Sequence, residues 1–180
     1  MIYVHFAEGF EEIEGVTIVD VLRRADIETV SVSVTGDKAV RGGHGITVCA
    51  DALFEEVDYG ECEMIVLPGG AAGTDNLCAH KGLAEQIKAF AAAGKYLAAI
   101  CAAPTVLGKL GVLKGKKATI YPGMEGNLIG AKPTGGKIVI DGNIITSKGP
   151  GTALEFSLAL VSIFKGNGEA SRLRKSMIAI

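Results

Sequence analysis

The chain has 180 residues, of which 48% are hydrophobic and 21% are charged, and its formal net charge is −2. This composition is typical of a globular protein and excludes a disordered chain, and the length fits a single domain over residues 1–180. The near-neutral charge provides no basic surface for phosphate, so nucleic-acid binding is not expected. No apolar run reaches the roughly 18 residues of a membrane span, and the chain starts with an apolar segment and an acidic loop rather than a signal peptide. We therefore expect a cytoplasmic protein with no membrane partner.

The first half of the chain alternates short apolar runs with an amphipathic stretch, a pattern typical of βα units. The predicted elements, in order, are a strand at 2–6, a helix at 13–25, a strand at 29–34, a small hairpin within 38–51 and a strand at 64–67. The apolar face predicted for the helix consists of Ile13, Val16, Leu22 and either Val19 or Val21.

The second half continues the same alternation. The predicted elements, in order, are a helix at 83–93, a strand at 97–100, a helix at 102–110, a strand at 118–120, a hairpin of strands at 138–140 and 144–146, and helices at 153–164 and 169–175. Gly94 is the expected residue after a helix end, and Asp141-Gly142 is a strong hairpin turn. The pattern predicts an α/β fold, with a doubly wound, mostly parallel sheet between layers of helices.

The four cysteines have neither the spacing of a disulfide framework nor that of a zinc site, because no CxxC pair occurs and the chain has only three His. No Walker-type loop is present, and we expect neither a metal nor a cofactor. We expect Cys49 to be packed, Cys62 and Cys78 to be exposed in polar loops, and one cysteine to serve chemistry.

Cys101 is the candidate nucleophile. An apolar strand leads directly into this cysteine and then into a helix, with small residues on both sides, as in a nucleophile elbow. A thiol at a helix N-terminus would also feel a partial positive charge that favours the thiolate. A buried cysteine in an alanine-rich packing site fits the pattern equally well.

Three acids stand at the start of the first helix, namely Glu11, Glu12 and Glu14. A carboxyl buried under the edge of the sheet would have a raised pKa, because burial disfavours the carboxylate, and it could share a proton with a thiolate. The pattern alone favours solvated acids at the helix N-terminus for at least two of the three. The backbone amides of Gly70 and Ala102 are candidate oxyanion donors, whereas Gly69-Gly70 could equally be a simple tight loop.

Four blocks of the chain together resemble the signatures of the ThiJ/PfpI superfamily and, within it, of the DJ-1-like clade of deglycase and glyoxalase III type. These blocks are residues 6–14 (FAEGFEEIE), 67–70 (LPGG), 99–104 (AICAAP) and 146–152 (TSKGPGT). The resemblance implies a flavodoxin-like fold, related to class I glutamine amidotransferases, and a homodimer. It implies that Cys101 is the reactive cysteine, that Glu14 is its protonated partner, and that Gly70, with Gly69 beside it, and Ala102 supply the oxyanion site.

The chain also departs from related patterns. Ala102 stands where the protease-like branch has His, which argues against a Cys-His peptidase. Tyr121 stands where members of the resembled clade often carry a His beside the residues that contact the substrate, and a phenol is a poor base at neutral pH. The resemblance also implies that His44 and Lys148 correspond to the basic residues that line the pocket and the interface in this family. Each of these three residues fits a structural or solvated role better than a catalytic one.

Two hypotheses follow from the same residues. In the first, the protein is a cofactor-independent cysteine enzyme that acts on a small 2-oxoaldehyde, such as methylglyoxal, or on a glycated substrate. In the second, it is a redox-responsive or chaperone-like stress protein that signals through oxidation of Cys101.

Overall fold

The computed structural model describes residues 1–179 and has a seven-stranded sheet at its centre. The strands of this sheet are β1 (Ile2–Phe6), β2 (Thr29–Ser33), β5 (Ala52–Leu53), β6 (Met64–Leu67), β7 (Tyr96–Ile100), β10 (Ile138–Asp141) and β11 (Ile144–Ser147). The strand order is β10-β11-β7-β6-β1-β2-β5, and every neighbouring pair is parallel except β10 and β11. The fold is therefore the flavodoxin-like, mostly parallel α/β architecture that the sequence predicts.

Helices cover both faces of the sheet. They are α1 (Glu12–Arg24), α2 (Ala71–Ala79), α3 (Lys81–Ala93), α4 (Pro104–Lys109) and α5 (Ala153–Ser176). Helices α1 and α5 pack over one face, and α2, α3 and α4 pack over the other. The central strands are apolar along almost their whole length because both of their faces are covered.

Two small two-stranded sheets lie outside the main one. One is the hairpin of β3 (Ala39–Arg41) and β4 (Thr47–Cys49), as predicted, and the other pairs β8 (Lys117–Ala118) with β9 (Lys132–Pro133). Within residues 1–179, the structure contains no helix with the length and apolarity that crossing a bilayer requires.

The buried face of α1 differs from the prediction. Ile13 and Val16 are 57% and 47% exposed, whereas Ile18, Val21 and Leu22 are buried against the sheet and α5. Both sides of this helix carry apolar residues, so periodicity alone could not tell which side faces the core. Gly15 lies on the buried side, where an added Cβ would come within 2.9 Å of the rings of Phe6 and Phe10.

Other predictions differ in detail. Helix α2 was not predicted. The two predicted C-terminal helices are both present, because α5 is interrupted between them at Gly166, where φ is 82° and ψ is 164°. Cys62 is buried and Cys78 lies half-buried in α2, so the expectation of exposed loop thiols is wrong for both. Cys49, expected to be packed, is exposed on β4.

Candidate functional site

Cys101 lies at the sharp turn between β7 and α4. Its φ is +62°, a left-handed conformation that residues with a side chain rarely adopt. Hydrogen bonds to the backbone hold it there, because its N–H donates to the carbonyl of Ser147 at 3.0 Å and its carbonyl accepts from the N–H of Tyr121 at 2.9 Å. The neighbouring strand and the segment after β8 thus fix the nucleophile's backbone in a strained conformation of the kind that clusters at active sites.

The loop after β6 closes around the cysteine. At Gly69 an added Cβ would lie 2.6 Å from Cys101 Cβ and 2.9 Å from an oxygen of Glu14, so only glycine fits. Gly70 has φ +88° and also has no room for a side chain. The backbone amides of Gly70 and Ala102 lie close enough to the Cys101 sulfur to favour its ionised form and lower the pKa of the thiol. The residues predicted as oxyanion donors therefore lie around the reactive sulfur.

Glu14 lies in the first turn of α1 and is completely buried. One oxygen, Oε2, accepts the Gly69 N–H at 2.7 Å, while Oε1 has no hydrogen-bond partner among residues 1–179. Burial raises the pKa of Glu14 to about 7, although the Gly69 amide and the Cys101 side chain counteract part of this rise. The carboxyl can therefore both donate and accept a proton near neutral pH.

The Cys101 thiol is not acidified by its position. Burial, followed by repulsion from the Glu14 carboxylate, raises its pKa, and the amides of Gly70 and Ala102 only partly oppose this rise. The Ala102 amide, just before α4, favours the thiolate in the direction that the sequence predicts, but burial outweighs it. Because the Glu14 carboxylate repels a thiolate at Cys101, protonation of Glu14 makes the thiolate easier to form.

The other two acids are also largely buried, so the expectation that at least two of the three are solvated is wrong. The side chains of Glu11 and Glu12 are 13% and 7% exposed. Glu12 accepts from the backbone N–H of His44 at 2.7 Å and from that of Ile46 at 3.3 Å, and lies 2.8 Å from His44 Nδ1. Burial opposes its ionisation, but these hydrogen bonds prevail and lower its pKa to about 2. Through these hydrogen bonds Glu12 holds the β3–β4 hairpin against the start of α1, next to Glu14.

The remaining predicted residues lie around this centre. The Tyr121 side chain is 47% exposed and lies against Gly149, and Lys148 is near the carboxylate of Glu125. The His44 side chain is 70% exposed, and its pKa is raised by the hydrogen bond to Glu12. None of the three is among the groups that shift the pKa of Cys101.

Glu11, Glu12 and His44 are the one group of three potential metal ligands within residues 1–179. Their ligand atoms lie within 4.8 Å of one another, but those of Glu12 are already engaged in hydrogen bonds to the hairpin. The sequence interpretation missed Glu12 as an anchor and Ser147 as a backbone partner of Cys101. No local sequence signal identifies Ser147, because its contact with Cys101 depends on the pairing of β11 with β7.

The family of the chain follows from comparison with known proteins. The family model described as the DJ-1/PfpI family matches residues 1–163. The chain belongs to the DJ-1/PfpI family. It is 38% identical over 98% of its length to "Protein DJ-1 homolog B" of Arabidopsis thaliana, of which it spans only 41%. The structure titled "Toxoplasma gondii DJ-1, oxidized" superposes with a TM-score of 0.94 at 35% identity and covers 98% of this chain and 97% of that one.

A member of this family from Pyrococcus abyssi is named a deglycase. It is 32% identical over 161 residues, which make up 88% of this chain and 96% of the archaeal protein. The relatives of this chain therefore include one that is named as an enzyme.

Proposed function

We propose that the protein is a cofactor-independent cysteine enzyme that acts on reactive carbonyl compounds, with glyoxalase III or deglycase activity. The observation that supports this proposal is that the Glu14 carboxyl and the amides of Gly70 and Ala102 surround the Cys101 thiol closely enough to shift its pKa. A thiol provides the nucleophile, two amides stabilise an oxyanion, and a carboxyl titrating near pH 7 can move protons. The deglycase name of the archaeal relative supports the same class of substrate.

The first step on methylglyoxal is addition of the thiol. Cys101 sulfur forms a bond to the aldehyde carbon, and the π electrons of the carbonyl move to its oxygen. The thiol proton passes through Glu14 to that oxygen, which gives a hemithioacetal. The amides of Gly70 and Ala102, which face the sulfur, are placed to stabilise the developing oxyanion.

The second step is an internal redox change that needs no external oxidant. The Glu14 carboxylate removes the proton from the carbon that carries sulfur; the electron pair of this bond forms a C=C bond, and the ketone oxygen takes the proton, which gives an enediol. The hydroxyl on the carbon that carries sulfur then loses its proton through Glu14 while the neighbouring carbon gains one, which gives a 2-hydroxyacyl thioester, so one carbon is oxidised and the other reduced. Water then cleaves the C–S bond, which releases lactate and the free thiol.

The test is lactate formation from methylglyoxal without glutathione or metal. Cys101→Ser and Glu14→Gln should each lower kcat/KM by at least about a thousandfold, because they remove the nucleophile or the proton carrier. Cys78→Ser, at a thiol of α2, is the matched control and should retain activity. Retained turnover in Cys101→Ser, or no turnover by the wild type with Cys101 reduced, would refute the proposal.

The redox hypothesis is the second candidate, and one observation favours it. The amides that face the sulfur would stabilise a sulfinate as well as a substrate oxyanion, and the relative from Toxoplasma gondii was solved in an oxidised state. Mild peroxide should then oxidise Cys101 before the exposed Cys49, as measured by mass spectrometry. Equal oxidation of the two thiols would contradict a sensor role.

We also propose a homodimer in the cytoplasm. Exposed apolar residues of α1 and of the hairpin, Ile13, Val16 and Ile46, support the dimer. Four free cysteines suit a reducing compartment.

A further inference from the structure

Helices α2 and α4 lie side by side, because they follow neighbouring strands. β6 and β7 pair in parallel, so both helices start at the same edge of the sheet, and the two helices contact each other. Cys78 is eight residues beyond Gly70, the N-cap of α2, and Lys109 is six residues beyond Ala103, the N-cap of α4. With a rise of about 1.5 Å per residue, the two positions differ in depth by about 3 Å, which a lysine side chain can span.

The sides of the two helices that carry these residues face into the protein. Thr74 is one turn before Cys78 on α2, Thr105 is one turn before Lys109 on α4, and residues four apart share a helix face. The two threonines are 3% and 6% exposed, and neither hydroxyl has a hydrogen-bond partner in the described part of the chain. Cys78 is half-buried against the same apolar cluster as Leu110. The contact between α2 and α4 therefore contains polar groups that the fold does not use.

Lys109 is the cationic neighbour of the Cys78 thiol. Burial raises the pKa of this thiol, the charge of the Lys109 ammonium and its hydrogen bond lower it, and the Asp75 carboxylate raises it. Lys109 therefore lies close enough to the sulfur to favour the thiolate. None of the ion pairs between the described residues includes Lys109, so no carboxylate competes with the thiol for its side chain.

We propose that Cys78 and Lys109 form a modification site at which a hydroperoxide joins α2 to α4 through a sulfur–nitrogen bond. The site is separate from Cys101 and does not depend on the proposed enzymatic activity. Because Gly70 precedes α2 and Ala102 lies just before α4, the bond would join the two helices whose starts supply the amides around the reactive sulfur.

The reaction needs one equivalent of hydroperoxide as its oxidant. The Cys78 thiolate attacks one oxygen of hydrogen peroxide, the O–O bond breaks, and the leaving hydroxide takes a proton from the Lys109 ammonium to give water. The products are a sulfenic acid and a neutral amine beside it. The amine nitrogen then attacks the sulfur and the S–O bond breaks. The leaving hydroxide takes a proton from the nitrogen, which gives a sulfenamide and a second water. Sulfur loses two electrons, and the peroxide gains them.

The test uses the full chain with Cys101→Ser, so that the reactive cysteine does not consume the oxidant. Hydrogen peroxide should lower the mass of the protein by two hydrogens, and peptide mapping should find Cys78 joined to Lys109. Dithiothreitol should restore the original mass. In the same background, Lys109→Gln should abolish the link and leave Cys78 with added oxygen. Lys88→Gln, which removes an exposed ammonium from α3, is the matched control and should retain the link.

Oxygen added to Cys78 without a link, or Cys78 joined to another cysteine instead, would overturn the proposal. Urea unfolding provides a second measurement. The linked protein should unfold at a higher urea concentration than the reduced protein, because the link closes a loop of residues 78–109 in the unfolded chain. Lys109→Gln treated with peroxide should show no such increase. No increase in the linked protein would mean that the bond distorts the contact of α2 with α4, which would contradict the geometry of the site.

Discussion

Gly69 is the residue at which the site is most sensitive to a single added atom. Gly69→Ala would place a Cβ 2.6 Å from Cys101 Cβ and 2.9 Å from the Ile100 carbonyl, so the loop must shift. We expect turnover to fall at least about a hundredfold, because a displacement near 1 Å misaligns the reacting groups. Gly168→Ala, at a glycine of α5 with open space around it, should change activity less than twofold in the same lactate assay. Unchanged activity of Gly69→Ala would contradict the geometry described for the site.

Glu14 should make the stability of the protein depend on pH in the opposite direction to an ordinary surface acid. Its pKa is about 7 in the folded chain against 4.5 for the free side chain, so between these values the folded state binds more protons than the unfolded state. Stability from this group is therefore present below pH 4.5 and declines as the pH rises through 7. Glu14→Gln, which keeps an oxygen for the Gly69 N–H, should remove this decline.

Urea unfolding at pH 5 and pH 8 tests this. The stability of Glu14→Gln relative to the wild type should increase between the two pH values by up to about 3 kcal/mol, the equivalent of the pKa shift. The control Glu85→Gln, at an exposed acid, should show no such change. A parallel pH dependence of wild type and Glu14→Gln would mean that Glu14 titrates normally.

At the residue scale, Cys101 could be selected from the sequence because the elbow is a local pattern of strand, small residues and helix. The choice among the three acids could not be made locally. Glu14 is buried because α1 lies over the sheet and the loop at Gly69, 55 residues away in the chain, supplies its hydrogen bond. Only the family resemblance distinguished it from Glu11 and Glu12.

At the scale of elements, helix α1 separates two environments. Its inner side packs on the sheet and its outer side leaves Val16 47% exposed. If the outer side forms the proposed homodimer, Val16→Glu should weaken the dimer at least about tenfold, because a charge is then buried at an apolar contact. Ile140→Glu, at an apolar residue of β10 that is 51% exposed, should leave the mass unchanged. Light scattering after size-exclusion chromatography measures both, and a monomeric wild type would contradict the dimer.

The strands were more predictable than the helices. β6 was predicted with its observed bounds, because a strand buried on both faces is a short continuous apolar run ended by Pro-Gly-Gly. Helix α2 was missed because its sequence has little amphipathic pattern and contains Gly73. That glycine is required by packing, since an added Cβ would lie 2.7 Å from the backbone of Phe10. Close packing between elements is not visible in either segment alone.

At the scale of the whole molecule, acid stability should depend on one buried histidine. His5 on β1 is fully buried, its Nε2 lies 2.7 Å from the Tyr59 hydroxyl, and burial lowers its pKa to about 3. The unfolded chain binds this proton near pH 6.5, so stability falls as the pH drops from 6.5 toward 3. The double variant His5→Phe/Tyr59→Phe should lose up to about 1.4 kcal/mol per pH unit of this slope.

Tyr59→Phe alone is the matched control, since it keeps the titrating imidazole and should keep the slope. Urea unfolding at pH 6.5, 5.5 and 4.5 gives the comparison. If stability changes with pH equally in the wild type and the double variant, His5 does not determine the loss of stability between pH 6.5 and pH 4.5.

The overall topology followed from the alternation of strands and helices, but the spatial order of the strands did not. β7 lies between β6 and β11, which brings the carbonyl of Ser147 to the N–H of Cys101. No local pattern states which strands become neighbours, because that choice depends on how all the helices cover the sheet.

This arrangement has a consequence for the newly synthesised chain. The backbone of Cys101 reaches its final conformation only with the carbonyl of Ser147, and β7 becomes an interior strand only when β11 pairs with it. When only about the first hundred residues have left the ribosome, Cys101 therefore still lacks its hydrogen bond to the carbonyl of Ser147. The thiol acquires its finished surroundings late in translation, after the segment that contains Ser147 has left the exit tunnel.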